Sequence, residues 1–139
     1  MLNLPVSDIM NDHPIKVKAD TSIRNVAHLL LRYRINGILV VEPGNMDALL
    51  GVFTTTDFLN LMDVAAANGA QKMQALNTIA ERPVVDFVNR QFFRLQQTNT
   101  TAKAIGYMHK HNVLTIPVYD GEKLVGVIGR HDVINIAFA

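Results

Sequence analysis

Pro14-Ile15-Lys16-Val17-Lys18 alternates apolar with polar residues, the period of a strand with one buried face. Behind the N-cap candidates Asp20-Thr21-Ser22, the residues Ile23, Val26, Ala27, Leu30 and Leu31 follow helical spacing and predict a helix ending near Asn36-Gly37. Ile38-Leu39-Val40-Val41 reads as a compact buried strand. Glu42-Pro43-Gly44-Asn45 reads as a turn, Leu49 to Phe53 as a second strand, and Thr54 to Met62 as the start of a closing helix.

The same order then returns. Pro5-Val6-Ser7-Asp8-Ile9-Met10-Asn11 recurs as Pro83-Val84-Val85-Asp86-Phe87-Val88-Asn89, an offset of 78. At that offset Ile15/Phe93, Val17/Leu95, Ile35/Val113, Ile38/Ile116 and Val40/Val118 remain apolar pairs. The later copy is three residues shorter, so Gly51-Val52-Phe53-x-x-x-Asp57 meets Gly126-Val127-Ile128-x-x-x-Asp132 at an offset of 75. The difference falls between Glu42 and Leu50, in the expected turn. An internal repeat constrains the fold more than any single motif does. Each copy reads as a short helical turn opened by proline, a strand, a helix, two strands and a final helix, with Thr98-Asn99-Thr100 as the second cap region and Asp120-Gly121-Glu122 as a tighter hairpin. The expected division is residues 1–66 as the first repeat, 67–82 as a linking helix region and 83–139 as the second repeat. Within Asp63 to Glu81, Asn68-Gly69 marks a break between two helices.

Repeats of roughly 60 residues lie near the lower limit for an independent core, so two half-cores packed together are expected. Hydrophobic residues make up 49% of the chain and charged ones 18%, with a formal net charge of +1. That balance suits a globular protein and supplies no strong field for nucleic acid. The longest wholly aliphatic runs fall far short of the about 20 residues that cross a bilayer, and the N-terminus lacks a signal-like core, so neither a nucleic acid nor a membrane is an expected partner and a cytoplasmic location is expected. With no cysteine, disulfides, thiolate metal sites and cysteine nucleophiles are excluded.

Two β-α-β-β-α copies, each ending in Gly-hydrophobic-hydrophobic-x-x-x-Asp, resemble a tandem pair of cystathionine β-synthase (CBS) domains over nearly the whole chain. The resemblance implies an α/β (α+β) fold in which the two CBS repeats pack about a pseudo-twofold axis with their sheets meeting at the centre. It also implies clefts between the repeats that bind adenosine-containing ligands such as AMP, ADP, ATP or S-adenosylmethionine, and a regulatory role without catalysis or a required cofactor. The family motif Gly-h-h-Thr/Ser-x-x-Asp is intact as Gly51-Val52-Phe53-Thr54-Thr55-Thr56-Asp57. The second copy keeps Asp132 but has Gly129 in place of Thr or Ser. Val113-x-x-Ile116-Pro117 matches a second family signature, whereas Ile35-x-x-Ile38-Leu39 lacks its proline.

On that likeness Asp57 and Thr54 face Phe93, Val113 and Leu114 across one cleft, while Asp132 faces Ile15, Ile35 and Asn36 across the other. The chemistry has a plain basis. An ionised carboxylate accepts from both hydroxyls of a ribose diol, and a helix N-terminus attracts phosphate. Arg130 and His131 could add phosphate contacts where Gly129 removes a hydroxyl. Phe93, larger than its counterpart Ile15, either stacks on adenine or fills its place.

Plainer roles remain for the same residues. Thr54-x-x-Asp57 is also a capping arrangement, Arg130 and His131 suit a solvated first turn, and the apolar positions suit a core. His109 and His111, two apart on a helix, point in different directions and do not suggest a shared metal. No nucleophile elbow, phosphate-binding loop or HExxH motif is present, so an enzyme is not expected. The apolar stretch from residue 132 to 139 predicts a homodimer that buries helix faces, with an effector protein left unidentified. The competing reading is a ligand-free oligomerisation or protein-interaction module of the same fold.

Overall fold

The computed structural model describes residues 1–67 and 72–138, without the side chains of 72 and 73. The first repeat contains β1 (Lys16–Lys18), α1 (Ile23–Tyr33), β2 (Gly37–Glu42), β3 (Asn45–Thr54) and α2 (Thr55–Ala66). After α3 (Lys72–Ala80) come β4 (Leu95–Gln96), α4 (Thr101–His111), β5 (Thr115–Asp120), β6 (Lys123–Gly129) and α5 (Arg130–Phe138). The Asn68-Gly69 break lies outside the described residues.

The repeats build one sheet each, ordered β1-β2-β3 and β4-β5-β6. In both, the first strand pairs parallel with the second, and the second pairs antiparallel with the third. The caps follow the sequence. Ser22 Oγ accepts from Asn25 N at the start of α1, and Thr100 Oγ1 accepts from Lys103 N at the start of α4. Alternation along β2 divides its side chains between two cores. Ile38 and Val40 pack against α1 with Val17, Ile23, Val26, Leu30 and Phe53, while Leu39 and Val41 join Val52, Tyr119 and Leu124 in the seam between the sheets. A third cluster, around Leu95, Ala104, Ile116, Val118 and Ile128, fills the second repeat.

The repeats exchange their opening turns. The 3-10 turn Val6–Asp8 places Val6 in the core of the second repeat, and its partner turn Val84–Asp86 places Val84 in the core of the first. Backbone bonds hold each turn there: Val6 N donates to Asn99 O at 2.8 Å, and Val84 N donates to Thr21 O at 2.7 Å. Farther on, Asn11 bridges to Val127 and Asn89 to Val52, covering the outer edges of β6 and β3.

Several expected boundaries shift. Of the stretch from Pro14 to Lys18 only Lys16–Lys18 forms ladder pairs. Helix α1 stops at Tyr33 because Arg34 turns into the left-handed region, with φ 52°. Leu31, read as part of the buried stripe, is 77% exposed, since the helix covers its sheet with a narrower face through Ile23, Val26 and Leu30. Helix α2, by contrast, ends at Ala66, within the Asp63 to Glu81 stretch where its end is expected.

The three extra residues are not in the turn. Both hairpins are equally tight, passing through Pro43-Gly44 and Gly121-Glu122, and β3 already begins at Asn45. Glu42 pairs with Asn45 and Val41 with Leu49, so Met46-Asp47-Ala48 bulges out of the ladder. The bulge reaches the other repeat: Asp47 Oδ1 accepts from Leu124 N at 3.1 Å, and the Tyr119 hydroxyl donates to Asp47 O at 3.4 Å.

Tyr119 is only 2% exposed, and the Arg94 guanidinium lies 4.7 Å from its ring centroid. Burial pushes the Tyr119 phenol above its ordinary pKa of 10.0, Arg94 opposes the rise, and Asp47 and Glu122 add to it. A phenol that ionises more readily in the unfolded chain stabilises the fold fully below pH 10 and loses that contribution as pH climbs through its folded value. Denaturant midpoints measured from pH 8 to pH 11 should therefore fall more steeply for the parent protein than for Tyr119→Phe; equal slopes would count against it.

Candidate functional site

Two clefts lie along the seam, related by the repeat. One, of about 260 Å³, has Thr54, Thr56 and Asp57 on one wall and Asn89, Phe93, His111, Val113 and Leu114 on the other. The second, of about 170 Å³, sets His131 and Asp132 opposite Asn11, Ile15, Arg34, Ile35 and Asn36. Each carboxylate thus faces side chains of the other repeat. Leu114 and Thr115 line both clefts, and Gly37 lies so close to Thr115 that a Cβ there would sit 2.6 Å from Thr115 Oγ1.

The carboxylates are held by local capping. Asp57 Oδ2 accepts from Thr54 N at 2.8 Å and from Thr54 Oγ1 at 3.0 Å, while Asp57 N donates to Thr54 Oγ1 at 3.3 Å. This is a reciprocal capping box at the start of α2. Asp132 Oδ2 accepts from Gly129 N at 2.7 Å at the start of α5. Both carboxylates accept through Oδ2 alone; among the described residues neither Oδ1 has a protein donor. Capping therefore fixes each side chain and leaves an acceptor oxygen free for another donor.

The first amide of each closing helix is also committed. Thr55 N donates to Asn36 O at 2.9 Å, and Arg130 N donates to Leu114 O at 3.3 Å. Beyond these points the helix starts differ. Thr54 Oγ1 takes up Asp57 N, whereas Gly129 has no hydroxyl with which to take up Asp132 N.

The Phe93 ring does not plug its cleft. It stacks on His111 with centroids 4.4 Å apart and an interplanar angle of 27°, and packs against Tyr107 at 4.9 Å. The stack forms part of the wall and leaves the space above Asp57 open. Of the residues singled out in the sequence, Thr54, Asp57, Phe93, Val113 and Leu114 meet at the larger cleft, and Ile15, Ile35, Asn36, His131 and Asp132 at the smaller. Arg130 is exposed and lines neither. No group of three or more His, Asp or Glu side chains suited to a metal occurs among the described residues.

Sequence reasoning did not assign Arg34, Thr56, His111 or the pair Asn11/Asn89 to a cleft. The asparagines carried a usable signal, being identical at the repeat offset. Arg34 carried none, because its arrival at the cleft depends on the left-handed turn that ends α1.

No described helix is long and apolar enough to cross a membrane. The CBS domain family model matches residues 6–64 and 84–138. A carnitine transport ATP-binding protein of Listeria monocytogenes is 24% identical over 134 residues, covering 96% of this chain; the chain spans 29% of that relative's length. Among solved structures, a CBS-domain containing protein from Agrobacterium tumefaciens superposes with a TM-score of 0.80 at 22% identity, covering 97% of this chain and all of that one. CBSX2 in complex with AMP superposes at 0.73 and 23% identity, covering 96% and 95% of the two chains. A CBS domain pair in complex with 5′-methylthioadenosine and S-adenosyl-L-methionine gives 0.73 and 21% identity with the same coverage. These likenesses establish the fold, and since the family match takes in both halves of the duplication, the chain belongs to the CBS domain family.

Proposed function

We propose that this CBS pair is a regulatory sensor that binds adenosine-containing small molecules, such as AMP, ADP, ATP or S-adenosylmethionine, in the clefts between its repeats. One observation carries the reading: each closing helix sets an aspartate at a cleft wall with Oδ2 held by the cap and Oδ1 uncommitted among the described residues. A free carboxylate oxygen suits a ribose hydroxyl, and the apolar side chains opposite suit an adenine face. The ligands in the solved relatives, AMP in one and 5′-methylthioadenosine with S-adenosyl-L-methionine in another, support this ligand class. The open cleft beside Phe93 favours it over a ligand-free module.

A ligand touching both walls stabilises the arrangement in which the repeats sit closer, which converts occupancy into shape. The readout we favour is a homodimer. Leu59, Met62 and Val64 on α2 and Ile134, Ile136 and Phe138 on α5 are all exposed, with Phe138 at 87%. Helix faces of this kind are normally covered by a partner.

A thermal-shift series with AMP, ADP, ATP and S-adenosylmethionine tests the sensor. At a concentration one hundred times Kd, a ligand specific for the folded state adds about 2.7 kcal/mol, a rise of several degrees in Tm. At least one compound should produce it. No rise with any of them, from a protein that remains dimeric, would instead establish the interaction-module reading.

A further inference from the structure

The two clefts are copies of one design, but the repeat exchanges their charged residues. Position 34 of the first repeat corresponds to 112 of the second, so Arg34 at the Asp132 cleft stands where the Asp57 cleft has Asn112. Likewise His131 stands where the other cleft has Thr56, and Gly129 where it has Thr54. The Asp57 cleft contains no lysine or arginine in its lining. Arg34 belongs to none of the ion pairs among the described residues. Since both clefts carry one aspartate, the difference between them is the guanidinium.

We propose that the clefts divide adenosyl ligands by charge: the Asp132 cleft takes a phosphorylated adenosine, and the Asp57 cleft takes an adenosine whose 5′ substituent carries no phosphate. This division rests on the adenosyl-sensing reading above. A guanidinium donates paired hydrogen bonds to phosphate oxygens and keeps its charge at any physiological pH.

The backbone at Arg34 points the same way. Arg34 and Asn112 both cap their helices in the left-handed region, at φ 52° and 53°. Asparagine is at home in that conformation, whereas arginine occupies it at a cost. A costly residue at a cleft wall is commonly retained for what its side chain binds. The helix starts add to the contrast. With no hydroxyl at Gly129, no side chain caps Asp132 N among the described residues, whereas Thr54 Oγ1 takes up Asp57 N. In the Asp57 cleft the wall holds the Phe93 ring stacked on His111, with no lysine or arginine beside it.

Arg34→Asn is a suitable test because it installs the residue that the matching turn already uses, and a Tm at or above that of the parent would verify the fold. Calorimetric titrations with AMP and with 5′-methylthioadenosine should show AMP affinity falling roughly ten- to hundred-fold in this variant, with the salt dependence of AMP binding much reduced and 5′-methylthioadenosine unaffected. The reciprocal Asn112→Arg should give the Asp57 cleft a measurable affinity for AMP and raise its stoichiometry. AMP binding that survives Arg34→Asn unchanged, or that is abolished by Asp57→Ala and not by Asp132→Ala, would overturn the division while leaving adenosyl sensing intact. If neither compound binds the parent protein, the sensing reading fails and the division falls with it.

Discussion

Phe53→Ala should lower unfolding stability by about 3–5 kcal/mol. Phe53 is fully buried in the core of the first repeat, next to Val17, Ile38 and Val84, and its ring meets Phe58 edge-on with centroids 4.8 Å apart. Truncation removes the transfer free energy of the ring and leaves a cavity. β3 cannot move inward to fill it, because Gly51 on the same strand already touches the other repeat. The loss also reaches α2, since Phe58 lies in that helix and owes part of its burial to the ring it abuts. Urea unfolding with an unchanged m-value would give the loss directly, and Tm should fall by about 10 °C or more. A shift under 1 kcal/mol would mean that the hydrophobic cluster is assigned wrongly.

Gly51→Val should be the next most damaging change, at about 2–3 kcal/mol. A Cβ at Gly51 would lie 2.6 Å from Asn89 O and 3.0 Å from Val88 Cβ. The obstruction is a backbone carbonyl of the other repeat, which cannot rotate aside. Relief requires moving the Asn89 segment, which bridges to Val52 and lines the Asp57 cleft. The substitution should therefore weaken binding at that cleft more than at its counterpart. Gly126 stands at the equivalent crossing, where a Cβ would lie 2.8 Å from Asn11 O. Gly106 supplies the control. Nothing lies within 4 Å of a Cβ there, and its place inside α4 makes Gly106→Ala stabilising by up to about 1 kcal/mol. Equal effects at positions 51 and 106 would refute the close approach at the seam.

Much of this architecture was legible because the duplication let one copy check the other. The two faces of β2, the caps at Ser22 and Thr100, and the Gly-to-Asp segment that opens each closing helix follow from local periodicity and local hydrogen bonding. What escaped depends on distant partners. Met46-Asp47-Ala48 looks like the widening of a turn, and only the pairing of Val41 with Leu49 shows it to be a bulge. Leu31 satisfies helical spacing but falls outside the narrow face that meets the sheet. The cleft walls were anticipated in part: the aspartates and their apolar partners came from the motif and the resemblance, whereas Arg34 and His111 come from where a helix happens to stop.

The traded 3-10 turns bind the fates of the two halves. With Val6 seated in the far core and Val84 in the near one, disorder in either half strips a buried side chain from its neighbour. Melting is then shared, and the duplicated chain behaves as a single cooperative unit.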